Sequence, residues 1–215
     1  MAITRICHIS SVHKLFDTRI FYKECSSLAH AGYHVSLIIR HDNAEVINGI
    51  NIIPLKASTG RFKRIFIRSF QASFKALKKS NKLCHFHDPE LIPFVILWKF
   101  FGKKIIYDVH EDVPAVILDR EWIPSPLRKT ISVIAGFSEK MCYLISDALI
   151  CATPTITAKF PGSKTYNINN FPIIKLIDSF PARKIERSTY VFIYAGALTR
   201  IRGIPALVRA IGHLN

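Results

Sequence analysis

No apolar run in this sequence approaches the roughly 18–20 residues that a membrane-spanning helix needs. The longest, Leu91 to Trp98, is interrupted by Pro93. The start, Met1-Ala2-Ile3-Thr4-Arg5, lacks the charged and then apolar regions of a secretory signal, so no signal peptide is expected. The five cysteines include no C-x-x-C pair and are odd in number. That argues against a disulfide framework or a structural zinc of the cysteine type, and for a reducing cytoplasm. Cys7, Cys84 and Cys151 stand in or beside apolar strand patterns, where cysteine acts as a small hydrophobe. Acid is scarce as well: no Asp or Glu lies between Val46 and His87, whereas seven of the fifteen lie between Asp88 and Glu121.

What is present is a globular composition, 49% hydrophobic and 21% charged over 215 residues, enough for one full core and part of a second. The formal charge of +15 implies a negative partner: a phospholipid surface, a nucleic acid or a phosphorylated substrate.

Strand patterns alternate with helical ones. Strands are expected over Arg5–Ser10, Val35–Ile39, Ile50–Leu55, Leu83–Phe86, Lys104–Tyr107, Ala148–Ala152 and Thr165–Asn169. Helices are expected over Arg19–Ala31 (capped by Asp17 or Thr18 and stopped by Gly32), Arg61–Ser80, Leu91–Phe101 and Pro126–Ile145, and after Thr153-Pro154. The alternation predicts an α/β fold, a Rossmann-like parallel sheet with helices on both faces. A boundary falls near Asn170-Phe171-Pro172. This gives a first domain over 1–172, a linker over 173–188, and a new unit over 189–215 with a strand at Tyr190–Tyr194 and a helix from Gly203 to Leu214.

Two polar clusters end apolar runs: His85-Phe86-His87-Asp88-Pro89-Glu90 and Asp108-Val109-His110-Glu111-Asp112. Ionisable groups are costly to desolvate, and parallel sheets bind ligands at the carboxyl ends of their strands, so both clusters mark a crevice. For Asp88-Pro89-Glu90 the plainer reading is helix N-capping, where carboxylates favour the first turn. His85 precedes an inward apolar residue and reads as structural.

In element order and wording the chain resembles the retaining family 4 glycosyltransferases of GT-B fold that build bacterial surface polysaccharides. The carrying segments are His8-Ile9-Ser10-Ser11-Val12-His13, Asp17-Thr18-Arg19, His85 to Leu91, Tyr107 to Asp112, Asn169-Asn170-Phe171-Pro172, Tyr194-Ala195-Gly196 and Arg202-Gly203-Ile204. The resemblance implies an acceptor-side domain followed by the start of a truncated donor-side domain, whose acidic E-x7-E motif would lie beyond Asn215. It implies transfer of a sugar from a nucleotide-sugar to a saccharide or lipid-linked acceptor, with retention and without a cofactor. His110 takes the place of the family's catalytic-cleft histidine. His87, Asp88, Glu90, Glu111, Asp112, His13 and Arg19 would contact substrate, Arg19 also supporting its loop. Arg202, Arg200 and Gly196 would meet the donor diphosphate, although Ala197 stands where relatives carry an arginine. The first loop, Ser10 to Thr18, lacks the Gly-Gly turn of many relatives.

The basic helix over 61–79 carries Phe62, Ile65, Phe66, Phe70, Phe74 and Leu77 on one face and seven uncompensated Lys and Arg on the remainder. The aromatics are expected to pack on the sheet and the basic residues to meet an anionic membrane surface from the cytoplasmic side. Nucleic-acid binding is not expected, because aromatics that stack on bases would be interleaved with the basic residues. His85-Phe86-His87 also matches the H-x-H pair of barrel-type metal-dependent hydrolases. It lies mid-chain, however, and no later histidine follows a strand in the required rhythm, so no metal is expected. The alternative from another class is a non-catalytic remnant that binds only acceptor or membrane.

Overall fold

A computed structural model describes residues 4–56, 64–78, 82–174, 191–196, 198 and 202–213. Strands β1 (Arg5–Lys14), β2 (His34–Arg40), β3 (Glu45–Ile47), β4 (Ile50–Leu55), β5 (Leu83–Phe86), β6 (Lys104–Val109), β7 (Ala148–Cys151) and β8 (Thr165–Asn167) form one sheet in the order β3-β4-β2-β1-β5-β6-β7-β8. Only β3 runs antiparallel, to β4. Its hairpin was not anticipated, although Asn48 and Gly49 both take positive φ (50° and 76°), which is what a tight primed turn requires. The order runs outward in both directions from the β1–β5 pair, so the crevice of this open sheet lies at their carboxyl ends.

Period-two alternation sorts the strand residues. Cys7, Ile9, Cys84, Phe86, Ile105, Tyr107 and Val109 point into one core layer. That layer is covered by α2 (Arg64–Arg68 in wide π geometry, then Ser69–Lys78), α3 (Pro89–Phe94 as a 3₁₀ turn, then Val95–Phe100) and α5 (Ser125–Ile145). The opposite face, with Val35, Leu37, Ile39, Ile50 and Ile52, packs against α1 (Thr18–Cys25, π, then Ser26–His30). Asp17 caps α1 by accepting from the Arg19 and Ile20 amides. Short helices α4 (Val113–Leu118) and α6 (Pro154–Thr157, capped by Thr153) complete this unit.

The expectation for α2 is inverted. Ser69, Ala72, Ser73 and Ala76 are buried, whereas Phe66, Phe70 and Phe74 are exposed. Small residues at i, i+3, i+4 and i+7 let the helix lie close to the sheet, and Trp98, fully buried and donating to the Ser73 carbonyl at 3.3 Å, fills the adjoining volume. The basic residues differ too. Arg68 is buried and donates to the Ser11 carbonyl, and Lys75 donates to the Pro54 carbonyl. Arg61, Phe62, Lys63 and Lys79 lie outside the described residues.

Residues 172–215 form a separate unit. Among its described residues, 191–195 join no ladder, where a strand was expected over Tyr190–Tyr194 (Tyr190 lies outside the described residues), and α7 (Ile204–Gly212) follows Gly203 at φ 73°.

Candidate functional site

The site grows from the ends of β1, β5 and β6. In register, His8 pairs with His85, and Phe86 with Tyr107. Side chains at His8, His85, His87 and Asp108 therefore share the face opposite the aromatic core.

Asp88 is the anchor of the first loop. Its Oδ2 accepts from Ser10 Oγ (2.9 Å), the Ser11 amide (2.5 Å) and the Val12 amide (3.2 Å), and its Oδ1 lies 3.0 Å from His13 Nδ1. It makes no capping bond to α3, so its work is across the sheet and not helix capping. Burial alone would raise its pKa, but the bonds from His13, Ser10 and Ser11 outweigh this and hold the carboxyl below its ordinary value. Conversely, burial opposes a charge on His13, and Asp88 overcomes that opposition and raises it.

Asp108, with no exposed side-chain surface, gathers the rest. Arg19 grips it with Nη2 at 2.7 Å and Nε at 2.9 Å, His110 Nε2 approaches to 2.9 Å, and His87 Nδ1 to 3.1 Å. Burial would push the Asp108 carboxyl up, but His110, His87 and Arg19 together hold it well below the usual range. An ionised carboxylate only accepts, so both imidazoles turn their protons toward it. His87 turns Nε2 toward His8 Nδ1, 3.0 Å away.

Over these groups lies a cavity of about 570 Å³ bordered by His13, His87, Asp88, Glu90, His110 and Glu111, with Trp122 and Arg120 on its wall. The histidines from the two clusters meet: His87 Nδ1 is 3.2 Å from His110 Nε2, and the His13 and His110 rings stack at 5.6 Å between centroids. The arrangement offers hydrogen-bond acceptors and donors around the cavity, with a carboxylate-backed imidazole beside it.

Two of the expected substrate contacts have protein partners of their own. Arg19 is buried, and its guanidinium is spent on Asp108 and the Ile168 carbonyl. Asp112 caps α4 by accepting from the Ala115 amide and pairs with Lys159. His85 is buried, in accord with the structural reading. In the second unit, the Arg202 guanidinium and the Tyr194 hydroxyl crowd the space where a Cβ at Gly196 would sit. Arg200 lies outside the described residues. The sequence reading placed Asp108 in the second polar cluster without giving it a role, and it missed Glu24 and Tyr107.

No protein-family model matches the chain, and no curated protein matches it. Among solved structures, sucrose-phosphate synthase from Thermosynechococcus elongatus superposes with a TM-score of 0.60 at 20% identity, over 80% of this chain and 49% of that one. A second sucrose-phosphate synthase structure from the same organism gives a TM-score of 0.53 at 17% identity, over 81% of this chain and 93% of its own. This chain thus spans about half the length of the first. At such identity the likeness establishes the fold, a Rossmann-like α/β architecture of GT-B type.

Proposed function

We propose that this chain is the acceptor-side part of a glycosyltransferase that moves a sugar, with retention, from a nucleotide-sugar to a saccharide or lipid-linked acceptor in surface polysaccharide synthesis. One observation carries the reading. In a fold shared with sucrose-phosphate synthase, His13, Asp88, Glu90, His110 and Glu111 border one cavity at the sheet's switch point. His110, oriented by Asp108, presents Nδ1 to a sugar hydroxyl, and Glu90 and Glu111 accept from others. Gly196 and Arg202, with Arg200, would serve the donor diphosphate, where a guanidinium suits bidentate binding. This role needs no cofactor.

The reading places the protein at the cytoplasmic face of a membrane. Among the described residues no helix is long and apolar enough to cross one. The outward Phe66, Phe70 and Phe74, on a chain with formal charge +15, support peripheral attachment to anionic lipid.

Saturation-transfer NMR of the chain with mono- and disaccharides tests the acceptor half. Saccharide protons should receive saturation, and His110→Ala and Glu90→Gln should each weaken binding at least about tenfold, the loss of one or two hydrogen bonds. Absence of binding at millimolar saccharide, or binding indifferent to both substitutions, overturns the proposal.

A further inference from the structure

Beneath the cavity, on the α1 side of the sheet, lies a second cluster that shares only His87 with it. His8, His85 and His87 converge with Glu24 of α1, one nitrogen or oxygen from each lying within 4.8 Å of every other. Glu24 Oε2 stands 3.8 Å from His8 Nδ1, from His85 Nε2 and from His87 Nε2. The three imidazoles are almost wholly buried. From this geometry we propose that His8 Nδ1, His85 Nε2, His87 Nε2 and Glu24 Oε2 form a four-coordinate site for a divalent transition ion, zinc foremost.

Four observations carry it. The first is spacing: tetrahedral ligands about 2.0–2.2 Å from zinc lie roughly 3.4 Å apart. The observed separations of 3.0 Å (His8 to His87) and 3.8 Å (each histidine to Glu24) straddle that value. The second is unmet polarity. His85 Nε2 and both Glu24 oxygens are buried without a hydrogen-bond partner, a costly state for a carboxylate and an imidazole. Arg19 Nε does lie 3.0 Å from Glu24 Oε1, but its N–H is directed to Asp108.

The third is the surrounding support. His87 gives its Nδ1 proton to Asp108, which leaves Nε2 as the ligand, and Arg19 orients that carboxylate in turn. A carboxylate behind a ligating imidazole is the usual outer partner of protein zinc. The fourth is access. Glu24 and His85 border a separate cavity of about 400 Å³, with aliphatic walls and with Arg19, Lys23, Ser27 and Asn169 at its polar side, through which an ion can reach the cluster. The rival occupant of the gap is a proton on Glu24. Three nitrogens and one oxygen in a tetrahedral frame favour zinc over magnesium or calcium. Such an ion would clamp α1 to β1 and β5 and fix His87 under the cavity floor, whatever reaction occurs above.

The test is metal titration of the chelator-treated full chain. Calorimetry with zinc should give one saturable site per chain. Cobalt should develop the visible absorption of four-coordinate N/O ligation. Glu24→Gln and His85→Asn should each weaken zinc binding by more than the 10–100-fold that loss of an outer partner causes. Glu139→Gln, at a residue that bonds Tyr107 on the opposite face of the sheet, should leave it intact. Circular dichroism confirms that each variant folds, and the two ligand variants stand in for one another should one fail. Absence of saturable zinc, or zinc bound equally by both folded ligand variants, overturns the proposal and leaves Glu24 protonated.

Discussion

At the scale of single residues, Asp108 decides the geometry of the site. A buried carboxylate is tolerable only when its charge is matched, and among the described residues Arg19 supplies the one permanent cation paired with it. Arg19→Met strips that match while keeping most of the side chain's bulk, so the chain should lose about 3–5 kcal/mol of stability. Adding Asp108→Asn to the same chain should recover part of the loss, since the stranded charge is removed. Urea unfolding of the single and double variants checks this, and a single variant as stable as the parent contradicts it. The sequence made only part of this group legible. His87, Asp88 and His110 stood out because they end apolar runs. Glu24 and His8 did not, because nothing local says that a helical glutamate reaches a strand histidine sixteen residues earlier. Asp112 shows the converse: a capping acid and a substrate-binding acid look alike in a sequence, and only the structure shows its bond to the Ala115 amide.

At the scale of elements, the pairing of α5 with β6 contains a titrating contact. Tyr107 donates its hydroxyl to Glu139 Oε1 at 3.3 Å. Burial raises Glu139 to about 7, with Asp112 and Glu111 adding to it and the Tyr107 bond and Lys159 opposing. A carboxyl whose folded pKa exceeds its unfolded value holds its proton more tightly when folded. Its contribution is therefore complete below the ordinary 4.5 and is lost as pH rises through about 7. Between about pH 5 and pH 8 the parent should lose on the order of 1–2 kcal/mol more stability than Glu139→Gln, after allowing for solvent screening. Equal pH slopes in urea melts of the two proteins would refute the assignment. Elements of this kind were readable from pattern: every long strand and α5 begin or end within a few residues of where periodicity puts them. The face of α2 was not readable. Its aromatics and its alanines both recur at helical spacing, and only the depth of the sheet beneath, filled by Trp98 and Phe86, decides which set fits.

At the scale of the whole molecule, fold class followed from the β-α alternation alone, whereas the crevice needed the sheet order, which no local pattern contains. Charge is the other global property. The excess of +15 should draw the protein to anionic surfaces over a Debye length, about 10 Å at 0.1 M salt, but this attraction alone is weak and readily screened. The outward stripe of α2 changes the expectation. Phe66, Phe70 and Phe74 are 68%, 55% and 42% exposed, and Phe70 and Phe74 lie 4.4 Å apart between ring centroids, so together they offer one apolar edge to a bilayer interface. Salt and substitution should then act on different steps. Co-sedimentation with phosphatidylserine-containing vesicles should fall as ionic strength rises. Phe70→Ser with Phe74→Ser should lower binding at every salt concentration by about tenfold or more, with little change in unfolding midpoint because neither ring is in the core. Equal sedimentation with neutral and anionic vesicles would remove the electrostatic half of this account. Unchanged binding of the double variant would remove the apolar half, and α2 would then present its rings to some surface other than lipid.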